Sequence, residues 1–247
     1  MMPGPGVVGY GSAPSGPTLV AYQTNTHASG NVSSLSAPAV SVNVGDIVVI
    51  KGTIGNCGTG AVTFSDSTVS NTYTTANYGD TTPMYNNGQL WIAVTKAVTA
   101  SATFVASYDF SGTSIGLSQF CAITVEVYRG GSLTGTIGAS PIAQEFAYGT
   151  SPKTSSTMSS SGSQLIVGAF AAELSATAPA NIHFGVSDTQ SIGLSEIQVD
   201  GNSYLVSFGA ITSTALSSDA VTIDFWLVAD GTDNTYYHGA IVVIAIS

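Results

Sequence analysis

The chain has 247 residues, 44% of them hydrophobic and only 7% charged, with 4 Lys and Arg against 14 Asp and Glu for a formal net charge of −10. That length and apolar content exclude global disorder and suffice for a sizeable core, and four cations are too few to neutralise a phosphate backbone, which argues against nucleic-acid binding. A typical domain is about one quarter charged, so Ser, Thr, Asn and Gly must cover most of this surface.

Residues 1–38 contain no formal charge and many Gly, Pro and Ser. Such a segment cannot bury enough surface to fold alone. It is expected as an extended arm, held by a neighbouring subunit or laid along its own sheet, with Val7, Val8, Leu19 and Val20 as its contact residues. Its first ten residues have neither a basic region nor a continuous apolar run, so they do not read as a signal peptide.

From residue 39 onward, short β-branched or aromatic runs bounded by Gly, Ser, Asn or Asp predict strands. They fall at 40–44, 46–50, 90–95 and 103–108, and later at 164–170, 204–208, 221–228 and 240–246. Helix-period segments are absent, because β-branched residues and Gly interrupt every candidate. The longest apolar run, Gly239 to Ile246, is far shorter than the ~20 residues of a membrane-spanning helix, so no membrane association is expected. The pattern predicts an all-β, double-sheet β-sandwich of jelly-roll type.

Shifting the chain by about 118 residues brings its two halves into likeness. Gly45-Asp46-Ile47-Val48-Val49 meets Ser163-Gln164-Leu165-Ile166-Val167, and Cys121 to Val125 meets Gly239 to Val243. Between them, Val62 to Asp66 meets the surroundings of Ile182-His183-Phe184, and Ala102 to Val105 meets Val221 to Asp224. An internal duplication is expected, with halves at about 39–130 and 155–247. Two sandwiches and two interleaved Greek keys of one body both satisfy this pattern; the low charge and apolar patches of the join favour one continuous body.

Residues able to carry chemistry are few. Gly112-Thr113-Ser114-Ile115-Gly116 has the spacing of a nucleophile elbow, but that turn needs a strand before it and a helix after it, and Gln119 to Ile123 reads as a strand. His27, His183 and His238 are far apart, with no His or Cys partner at ligand spacing. Asp230 to Asn234 is oxygen-rich but lacks the other ligands of a calcium loop and suits a turn. No metal, cofactor or catalytic residue is expected. Cys57 and Cys121 allow one bridge or two free thiols; placing Glu126 toward solvent puts Cys121, Ile123, Val125 and Val127 inward. In Val221 to Val228, alternation separates Trp226 from the apolar face, so Trp226 is a candidate for stacking on a sugar or burial against a subunit. Tyr78, Tyr85, Tyr236 and Tyr237 fall in predicted loops, and Tyr236 and Tyr237 join Trp226 as candidate partner-binding residues.

Three segments of the first half together resemble a known group: Gly45 to Val49, Val62 to Ser67 leading to Asn71-Thr72-Tyr73-Thr74, and Val125-Glu126-Val127-Tyr128 ending in Gly130. The group is a loose one of β-sandwich proteins from bacterial surfaces and bacteriophage virions. Ser70 stands where the group usually has Gly, and Arg129 where it has Ser. The likeness covers roughly residues 40 to 190 and consists of turn and strand motifs. It implies fold and setting and offers no catalytic residue. The expected function is a non-enzymatic structural protein of an extracellular particle: a virion decoration, spike or tail component that binds copies of itself and other particle proteins. The alternatives are a carbohydrate-binding or adhesin module, which would bind glycans, and a secreted filament subunit.

Overall fold

A computed structural model describes residues 17–27, 30–79, 88–118, 120–139, 141–149, 153–154, 158–159, 164–174, 182–188, 194–200, 207–216, 220–221, 223–229 and 237–247. Side chains are described up to residue 145 apart from Phe120, for 164–169 and for 240–247; the other strands are described by their backbone pairing. The described residues contain no helix. Strands β1 (Thr18–His27), β2 (Ser34–Ser36), β3 (Val40–Val42), β4 (Ile47–Gly55) and β5 (Thr63–Asp66) come first. Next are β6 (Thr74–Tyr78), β7 (Gln89–Lys96), β8 (Ser101–Phe104), β9 (Ala106–Asp109) and β10 (Phe120–Arg129). The second half supplies β11 (Ile142–Gly149), β12 (Lys153–Thr154), β13 (Met158–Ser159), β14 (Leu165–Leu174) and β15 (Ile182–Asp188). It ends with β16 (Leu194–Asp200), β17 (Ser207–Leu216), β18 (Ala220–Val221), β19 (Ile223–Ala229) and β20 (Tyr237–Ile246).

The same strand order occurs twice. A five-stranded sheet β1-β10-β4-β7-β6, flanked by β2-β9-β5 and β3-β8, recurs as β11-β20-β14-β17-β16 with β12-β19-β15 and β13-β18. Register agrees as well. Val49 opposes Glu126 in the first half and Val167 opposes Ile244 in the second, both displaced by 118 residues, as the sequence alignment of these strands has it.

Residues 18–36, expected within the arm, are strands of the first half: β1 is an edge strand paired along β10, and β2 pairs with β9. The arm's lack of charge suits that place, since Thr, Val, Tyr and Gln fit a pleated surface. The join near 142–159 likewise forms β11, β12 and β13. The expected single strands at 103–108 and 221–228 each divide in two, giving β8 and β9 and then β18 and β19. The break lets one chain segment serve two small sheets: β8 pairs with β3, and β9 with β2 and β5.

Two cores are formed among the described residues. One lies between the first large sheet and its small sheets, where Val48, Ile50, Ile54, Trp91, Val125 and Val127 meet Val42, Phe104 and Tyr108. In it Gly52 leaves room for the Tyr108 ring, because an added Cβ would stand 3.0 Å from Tyr108 Cε1. The second core joins the halves: Ile47, Val49, Leu90, Ile92, Val94 and Tyr128 pack with Leu165, Val167, Ala169, Val242, Ile244 and Ile246. The large sheets therefore stack face to face, and β4 and β14 are sandwiched between layers. This explains why β4 is buried at all nine positions, where a sheet open on one side would alternate. The segment 131–139 ties the stack, with Gly138 N donating to Ala245 O and Lys96 Nζ donating to Leu133 O.

Candidate functional site

Polar side chains inside the first half are used in fixed networks. On the face of β4 and β10 that packs on the second half, Lys51 Nζ lies 2.6 Å from Glu126 Oε1, and the Tyr128 hydroxyl donates to Glu126 Oε2 at 2.8 Å. Both charged side chains are at most 2% exposed. The expectation that Glu126 faces solvent is therefore corrected. The alternation itself holds, with Cys121, Ile123, Val125 and Val127 in the other core, but a second sheet covers the face assigned to water. Burial pulls the Lys51 ammonium below its ordinary pKa, and Glu126 opposes that shift by charge and hydrogen bond. Thr53 Oγ1, buried on the same face, has no hydrogen-bond partner among the described residues.

Two carboxylates brace the loops where β4 and β6 begin. Asp46 accepts from Asn43 N at 2.7 Å and takes both Nε and Nη2 of Arg129, at 2.9 and 2.7 Å. Asp66 accepts from Thr68 N and its hydroxyl, from Asn71 Nδ2 and from the Tyr73 hydroxyl. Burial alone would raise the Asp66 pKa; the hydrogen bonds from Thr68, Tyr73 and Asn71 outweigh it and hold the carboxyl below its ordinary value. The Val62 to Tyr73 motif is thus a loop-bracing device.

Among the described residues, large apolar side chains left in solvent fall in three places. Val44, Val69 and Val98 occupy the tips of the loops before β4, before β6 and after β7, at one end of the first half. Ile115 and Leu117 lie in the loop between β9 and β10, at the opposite end, and Val20 and Tyr22 on edge strand β1. Val69 is 90% exposed and has φ +56°, a left-handed conformation that is an outlier for a β-branched residue and costs on the order of 1–3 kcal/mol. Its loop is held rigid: Val98 N donates to Asn71 Oδ1, and Gly45 N to Ala97 O. These tips and this edge are the surface best suited to contact.

Of the residues expected to bind a partner, Leu19 packs against the core between the halves, while Val20 is exposed on β1. Trp226 lies in the central strand β19, opposite Gly185, and Tyr237 opens β20. Val7, Val8, Tyr85 and Tyr236 lie outside the described residues, as does Asp230 to Asn234. Tyr78, expected in a loop, ends β6 and donates its hydroxyl to Glu145 of β11 at 2.8 Å, across the two halves. Cys57 and Cys121 are both buried thiols with no disulfide between them; desolvation pushes their pKa values up to about 12 and about 11. Gly112 to Gly116 joins strands on both sides and binds the 57–60 loop, with Ser114 N donating to Thr59 O and Ser114 Oγ accepting from Thr59 N. No group of metal-ligating side chains gathers among the described residues. The valine platform has no period or motif, and its only sequence signal is a Val inside each of three polar turns. Comparison of the chain with protein-family models, with curated proteins and with solved structures gives no match.

Proposed function

We propose that the chain is a non-enzymatic structural protein of an extracellular particle, a phage-type virion component such as a capsid decoration, spike or tail protein. The observation that carries this reading is the placement of exposed aliphatic side chains on the braced tips and free edge of the first half, whose large sheet is buried on both faces. Contact surfaces of this kind suit assembly, because preorganised loops lose little entropy on docking. A surface of Ser, Thr and Asn adds to it, since burying those residues avoids the desolvation cost of Lys or Glu. The excess of carboxylates would repel packaged nucleic acid and favours an outward position on a shell.

The test is native mass spectrometry and negative-stain imaging of the full chain over a range of concentrations. Discrete multimers or regular particles support the reading, and a monomer at every concentration overturns it. Exposed Tyr22 on β1 favours one other reading, an adhesin that stacks an aromatic ring on a sugar. Glycan-array binding by a monomer, lost in Tyr22→Ala or Trp226→Ala, would select it.

A further inference from the structure

We draw no further inference here: the strongest candidate, the uncharged edge strand β1 at the rim of the first large sheet, with Val20 and Tyr22 exposed on it, carries none because nothing in the structure shows what covers it.

Discussion

Replacing the ion pair between the halves tests the packing account most directly. Lys51→Met keeps the stem of the side chain but leaves the Glu126 carboxylate in a dry core. Breaking a buried pair by removing one partner costs about 3–5 kcal/mol, because a charge is left uncompensated, whereas replacing both partners with apolar residues is often neutral or stabilising. The second half already carries the apolar solution: at the positions displaced by 118 from Lys51 and Glu126 it has Ala169 and Ile244, both fully buried. Lys51→Met/Glu126→Leu with Tyr128→Phe, which removes the hydroxyl that would lose its acceptor, should therefore recover nearly all of the loss. Urea unfolding of the wild type, both single variants and the combined variant gives the coupling. With a slope of about 2–3 kcal/mol per molar, the single variant should lower the midpoint by about 1–2 M. A midpoint shift below about 0.3 M for Lys51→Met would show that water reaches the pair and that the two large sheets do not stack as described. A combined variant less stable than either single variant would show instead that the pair is a net source of stability.

Two further outcomes follow from the side-chain networks. Asp66 has a native pKa below its unfolded value, so its contribution is complete above about pH 4 and is lost as pH falls through the native pKa. Asp66→Asn should cost about 1–3 kcal/mol at pH 7, and thermal melts should find the gap to wild type closing toward pH 2; a gap that widens on acidification contradicts the assignment. The buried thiols should resist a thiol reagent at pH 8 in the native state and react with two equivalents in denaturant; rapid native labelling would place Cys57 or Cys121 at the surface.

Alternation in β10 and continuous β-branched runs in β4 and β20 made the strands of the large sheets legible, since a strand covered on both faces reads as an apolar run bounded by turns. What that periodicity could not assign was which solvent the polar face meets. Glu126 read as surface because one chain segment cannot report that a second sheet, more than a hundred residues away, lies over it. The short strands β2, β12 and β13, of two or three residues, carry too little pattern to be seen among Ser and Thr turns. β1 was obscured for another reason: Thr18 to His27 is long and contains no Gly, Pro or Ser, but it shares an uncharged segment with the Gly/Pro/Ser-rich residues before it. The exposed valines escaped notice because exposure depends on what the turn packs against, and Val69 is held outward by a backbone conformation that no sequence rule assigns to valine.

The manner of stacking ties these observations together. β1 lies against β16 and β6 against β11, contacts that exchange when each strand is replaced by its counterpart in the other half. The halves pack through corresponding faces of their large sheets, but not as a strict two-fold, because the contacts of β6 with β20 and of β7 with β14 and β20 have no counterparts of like extent. In a homodimer of first halves every residue of that face would be buried twice, so the Lys51–Glu126 pair and the Thr53 hydroxyl, which has no partner among the described residues, would each be buried twice. Joined in one chain, the faces are free to diverge. One has kept the ion pair, and the other has Ala169, Val242, Ile244 and Ile246 on the same face. A first half facing another first half would bury a second ion pair and a second orphan hydroxyl, at a desolvation cost that the apolar face of the second half does not impose. The asymmetry therefore makes each half select the unlike half of its own chain, which leaves the ends and the edge of the body as the surfaces available to other molecules.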